Sequence, residues 1–213
     1  MSKENRFYIL SEAILCSLGL MIFSFFIHYG FPISLLSFAA LLLSALIISR
    51  NLRSLSDLKM ITGENISFKI TILCTILGIA LGIVLAVRYR RHLDISLFPE
   101  SFHLFVVAAA LIGCMEELVF RGFLQEYVKK INGPFSILFS TLSHTGYKYC
   151  LFLSPVITKD IDIGFLAFWT FTIGLLFGTI RHLSKSLLPS LSSHALFDIL
   201  VYAEFVQAPW WVW

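Results

Sequence analysis

FHLFVVAAALIGCMEELVFRGFLQEYVKK, residues 102–130, is the stretch on which the fold turns. Its apolar length meets the roughly 20 residues that a helix, rising about 1.5 Å per residue, needs to cross about 30 Å of hydrocarbon. Yet Glu116, Glu117 and Arg121 stand inside it. A charge at the centre of a span costs about 2.5 to 3.5 kcal/mol, so three uncompensated charges cost on the order of 8 to 10 kcal/mol. They must be paired, protonated or hydrated within a bundle. Glu117 and Arg121 are four apart and share a helical face, where they can form a partly buried ion pair. Glu116 points about 100° around the helix from that pair.

The rest of the chain has the same character. Of 213 residues, 58% are hydrophobic and only 14% charged, with a mean hydropathy of +0.86. A soluble domain carries about 25% charged residues, so this chain has too little polar surface to cover a water-facing globule. Several apolar runs of span length exclude a soluble enzyme, a disordered tail and a single-span anchor. The expected fold class is all-α, a polytopic transmembrane helix bundle of about seven spans. A formal charge of +3, with Lys and Arg clustered between apolar runs, is a topology signal rather than a nucleic-acid one. Cys16, Cys74, Cys114 and Cys150 all lie in apolar runs without a Cys-x-x-Cys pair, as packing residues do.

The spans are placed near 7–28, 31–49, 68–87, 102–128, 134–155, 163–181 and 186–207. The first follows a basic start but is too long for a signal-peptide core and lacks a small-x-small cleavage site, so it reads as a retained helix. Residues 50–67, RNLRSLSDLKMITGENIS, form the clearest polar connection. Residues 1–67 therefore read as N-terminal transmembrane helices with a cytoplasmic loop, and 68–213 as the transmembrane bundle. With the N-terminus inside, Lys3, Arg6, Arg50, Arg53, Lys59, Lys69, Lys129, Lys130, Arg181 and Lys185 fall on the cytoplasmic side. Arg88, Arg90, Arg91 and Lys159 fall outside. RYRR at 88–91 dissents from the bias, and marks either an outer loop or a re-entrant or broken segment. The closing PWWVW reads as an interfacial aromatic anchor.

Two more spans carry expensive groups. KSLLPSLSSHALFDILVYAEF, 185–205, holds His194 and Asp198 one turn apart, and FSILFSTLSHTGYKY, 135–149, holds His144. Each alone has a bland reading, as a helix-to-helix hydrogen bond or a structural ion pair. Together with the Glu116 group they are most economically explained by one shared polar pocket inside the bundle. His28, His92, His103 and His182 lie near span ends, Lys148 and Glu126 read as snorkelling side chains, and Glu204 as a terminal charge. Neither Gly-x-Ser-x-Gly nor His-Glu-x-x-His is present. A carboxylate beside an imidazole can nevertheless activate water, taking its proton during attack, while His and Asp on another helix stabilise an oxyanion. That set suits hydrolysis of an amide bond.

EELVFR at 116–121 and HALFD at 194–198, in that order with His144 between them, resemble the Glu-Glu-x-x-x-Arg, His and His-x-x-x-Asn/Asp motifs of the CAAX prenyl endopeptidase type II and bacteriocin-processing (CPBP, or Abi) family of intramembrane proteases. The middle motif is usually Phe-x-x-x-His; here Ser140 stands four residues before His144 and Phe139 five before it. The resemblance covers about 102–204 and implies a catalytic core there. It implies that Glu116 and His144 activate the hydrolytic water, that His194 and Asp198 form the oxyanion side, and that Glu117 and Arg121 orient the site, Glu117 with a possible share in the base role. Relatives often carry Asn at the last position, so Asp198 must be protonated to donate, or must act by orienting His194. The implied enzyme is a metal-independent glutamate endopeptidase without cofactor; zinc held by the Glu, His and Asp side chains is the chemical alternative. The implied partners are the lipid bilayer and a membrane-associated protein or peptide substrate, without nucleic acid, at a bacterial plasma membrane.

The competing reading is non-catalytic: an immunity or scaffold factor retaining the fold, or a small proton-coupled transporter using the buried Glu, His and Asp set. A transporter predicts an internal repeat or Gly/Pro-broken helix pairs, and no convincing repeat is legible.

Overall fold

Four helix starts in this chain are set by small polar side chains. Ser2 accepts a hydrogen bond from the Asn5 N–H to open α1 (Lys3–Phe26). Ser54 and Asp57 form a reciprocal capping box around α3 (Leu55–Thr62), Asn132 caps α7 (Gly133–Leu153), and Asp162 caps α8 (Ile163–Ser184). The computed structural model describes residues 2–63, 67–155 and 162–206, and among these every regular element is a helix, without strands. The remaining elements are α2 (Ser34–Asn51), α4 (Phe68–His92), α5 (Phe105–Glu117), a π-helical segment (Leu118–Leu124), α6 (Gln125–Lys129) and α9 (Leu188–Tyr202). α5, the π segment and α6 follow one another without interruption as a single rod.

All seven predicted spans are helical. Four of them, α1, α2, α4 and α8, are long and apolar enough to cross a membrane. The other three carry the six candidate site residues. Two expectations change. The polar connection 50–67 contains α3, whose Thr62 carbonyl accepts from the Leu187 N–H and whose Met60 and Ile61 carbonyls accept from Arg181. Arg181 is accordingly a buried cross-link, also 3.4 Å from Glu126, and not a solvated loop charge. RYRR does not break its helix either: α4 runs on to His92, and Arg90 is fully buried, donating to the Ser96 and Leu200 carbonyls and to Glu204. Lys159 and the closing PWWVW lie outside the described residues.

The helices form two groups. α1 lies between α2 and α7, and α7 also packs on α8; α9 lies between α4 and α5. The groups meet where the π segment and α6 touch α7 and where α8 touches α9 and α4. Large apolar side chains such as Phe38, Leu42, Ile76, Leu111 and Phe168 point outward, whereas hydroxyls point inward. Ser17 and Ser143 join α1 to α7 at 2.9 Å, Ser44 donates to the Cys16 carbonyl, and Ser193 donates to the Gly78 carbonyl at 2.6 Å. Without a hydrophobic drive between helices in lipid, such small residues and hydrogen bonds hold a bundle together. The molecule is an integral membrane protein.

Candidate active site

The π segment is where the site begins. The Gln125 N–H bonds to the Phe120 carbonyl, five residues back instead of four, and Phe120 through Val128 are buried in succession because α1, α3, α7 and α8 pack around this part of the rod. Glu117 and Arg121 therefore both face inward, with no exposed side-chain surface and 3.0 Å between Oε1 and Nη1. Glu116, turned away as its position requires, points at α7 instead.

There it meets His144, whose Nε2 lies 3.0 Å from Glu116 Oε2. The other ring nitrogen, Nδ1, is 2.8 Å from Arg121 Nη1. A guanidinium can only donate, so Nδ1 accepts and the ring's proton sits on Nε2, from which it is donated to Glu116. Glu116 Oε1 accepts from Lys148, one turn further along α7. Lys148 was expected to snorkel; its ammonium instead turns inward onto the carboxylate. Proximity in sequence to the end of a span hid this, although its i,i+4 spacing from His144 was a signal.

α9 supplies the opposite side. His194 Nδ1 lies 3.0 Å from Glu117 Oε1, while its Nε2 is 3.9 Å from Glu116 and 3.8 Å from Asp198, beyond hydrogen-bond length to either. That nitrogen faces the gap between two carboxylates. The approach depends on Gly113 of α5: a Cβ there falls 2.1 Å from Asp198 Oδ2 and 2.9 Å from His194 Cδ2. The aromatic cover of His144 is Phe120, with ring centroids 4.6 Å apart. Phe139, one residue off the usual motif position, packs into the apolar cluster of α1, and Ser140 is buried beside Gln125.

All six residues singled out in the sequence, Glu116, Glu117, Arg121, His144, His194 and Asp198, thus come together. Beside them lies a cavity with about 840 Å³ of empty space, its mouth included. Glu117, Arg121, His144, Lys148, His194 and Asp198 line the polar part; Tyr89, Phe165, Trp169, Phe177 and Phe197 line the apolar part. Sequence reasoning missed that aromatic wall, because aromatic residues at helical spacing look like ordinary core. His92 stacks on Phe165 away from the polar group, in keeping with its position at a span end. Among the described residues no three His, Cys, Asp or Glu side chains converge as a metal donor set. Both nitrogens of His144 are engaged, and Glu116 and Glu117 are each in contact with a cation, Lys148 and Arg121 respectively.

Fold and site together define a class: a polytopic helical membrane protein with a buried, hydrogen-bonded set of carboxylates and histidines opening on a cavity. The family model for Rce1-like proteins, type II CAAX prenyl endopeptidase Rce1-like, matches residues 98–200, which span α5 through most of α9 and hold all six residues. Through this segment, just under half of the chain, the protein is similar to the type II CAAX prenyl endopeptidases of the CPBP family. Searches of curated proteins and of solved structures found no match.

Proposed function

We propose that the protein hydrolyses a peptide bond of a membrane-associated protein or peptide, using water activated by Glu116 without a metal ion. The observation that carries this is the buried contact of Glu116 with His144 beside the cavity. The His144 Nε2–H holds one carboxylate oxygen, leaving lone pairs on Glu116 to accept the water's proton as its oxygen attacks the scissile carbonyl. His194 Nε2 faces the gap in which an oxyanion can form. Three carboxylates, Glu116, Glu117 and Asp198, face the two cations Arg121 and Lys148, so one further proton, on His194 or shared with Asp198, makes the set neutral in its low-dielectric surroundings. That proton lets His194 donate to the oxyanion. Collapse of the tetrahedral intermediate breaks the C–N bond, and the proton held by Glu116 passes to the departing amine.

The apolar wall suits a substrate that arrives from lipid, and the family description makes a prenylated C-terminal segment the first to test. A bacterial plasma membrane is the proposed location. The test is cleavage of a prenylated CAAX peptide by the purified protein in detergent, read by mass spectrometry. Glu116→Gln and His144→Ala are expected to lose about 10² to 10⁴ in rate, and a chelator to change nothing. Full activity in both variants defeats the reading. Activity lost with the chelator moves it to a metalloprotease, while ion flux in liposomes dependent on Glu116, without cleavage, favours a transporter.

A further inference from the structure

We propose that Lys148 is a positioning residue for this site: its ammonium anchors Glu116 as a carboxylate against His144, which lines the cavity, and so sets the acid limit of activity. The inference rests on the reading of Glu116 as the base. Its geometry comes from α7 alone. His144 and Lys148 are one turn apart on the same face, and each holds one oxygen of the same carboxylate, Nε2 on Oε2 and Nζ on Oε1. A carboxylate gripped at both oxygens cannot rotate about its last bond, so its remaining lone pairs keep fixed directions. With only His144 holding it, it pivots.

Lys148 is also the most exposed member of the polar set. About 20% of its side chain is exposed, against 13% for His194 and 6% for Glu116, and its ammonium lies 5.6 Å from the centre of the Tyr147 ring. The charges around Glu116 make this contact decisive. On its own rod stand Glu117 and Arg121; on α7, His144, Tyr147 and Lys148; on α9, His194, Asp198 and Tyr202; and across the cavity on α4, Arg88 and Tyr89. Arg121 is engaged with Glu117 and His144. Lys148 is therefore the cation in direct contact with Glu116, and two neighbouring carboxylates disfavour its ionised form. Removing the ammonium leaves Glu116 to take up a proton at higher pH and to fail as a base there.

The experiment follows the protonated carboxyl stretch of Glu116 by infrared difference spectroscopy of the full chain in detergent, assigned by its loss in Glu116→Gln and titrated against pH. Lys148→Met and Lys148→Gln are each compared with wild type after size-exclusion and thermal-melt checks of folding, with Lys148→Arg as the charge-conserving variant. The band is expected to appear about one to three pH units higher in the neutral variants and near the wild-type midpoint in Lys148→Arg. The acid limb of kcat/KM on the prenylated peptide should move the same way, with KM little changed. A midpoint unchanged in whichever neutral variant folds overturns the role of Lys148. Should Glu116→Gln cleave normally, the base reading fails instead, whatever the infrared midpoints show.

Discussion

Arg121 serves two partners through one nitrogen, with Nη1 3.0 Å from Glu117 and 2.8 Å from His144 Nδ1. Replacing it by Met removes the counter-charge of a fully buried carboxylate and the donor that sets the His144 tautomer. The expected cost is about 3 to 5 kcal/mol of stability, seen as a large fall in Tm in detergent, with activity lost even in the fraction that stays folded. Gly113→Ala tests the other half of the site. Its new Cβ collides with Asp198 and His194, while alanine in place of glycine favours the helix itself by about 1 kcal/mol. Activity should therefore fall more than tenfold while Tm changes little, and wild-type activity in Gly113→Ala would show that His194 and Asp198 need not sit against α5. The six candidate residues stood out in the sequence because each is costly in hydrocarbon, and the structure brings them together. Lys148 and Phe120 did not stand out. A lysine near a span end looks like a snorkelling one, and Phe120 reaches His144 only through the geometry of its turn.

The element that positions the site is the rod α5, π segment and α6, and its wide turn is the feature least visible beforehand. Helical periodicity gives the right face for Glu117 and Arg121, but it cannot announce a bond five residues back. The close contact of α4 with α9 has a clearer origin in the sequence. Gly78 and Gly82, one turn apart, let the α9 backbone approach: a Cβ at Gly82 falls 2.6 Å from the Ser193 carbonyl oxygen, and one at Gly78 falls 2.8 Å from that of Pro189. These neighbours are backbone atoms and cannot step aside. Gly82→Leu is expected to separate the helices, with a loss of about 1 to 3 kcal/mol. The same change should lower activity, since α9 carries His194. A Tm equal to wild type would show that the helices are held apart from this contact. Span ends were harder to place: α4 outlasts its apolar run because Arg90 finds the Ser96 and Leu200 carbonyls inside the protein.

Across the whole molecule the polar groups gather at three levels. At one end α3 is tied to α8 by Arg181, and at the other Arg90 and the Glu100 N–H grip Glu204; the candidate site lies within the bundle. The Glu100 backbone N–H and then the Arg90 guanidinium hold the Glu204 carboxyl below the ordinary carboxylate range. A group lowered on folding stabilises the protein above its unfolded value, and that stabilisation is lost as pH falls through the folded one. Glu204→Gln should therefore lower Tm near neutral pH and flatten its decline on the acid side; an unchanged Tm profile would mean that this tie contributes nothing. The general plan, an all-helical membrane bundle with one buried polar set, was legible from composition and spacing. How the helices pack within each group was not, because that depends on glycines and serines that pattern alone leaves indistinguishable from filler. The central claim is tested most directly by incubating wild type and Glu116→Gln, both folded, with a prenylated CAAX peptide in labelled water and measuring label in the new carboxyl terminus. The account predicts a labelled product from wild type, undiminished by a chelator, and almost none from Glu116→Gln; equal labelled product from both proteins would contradict it.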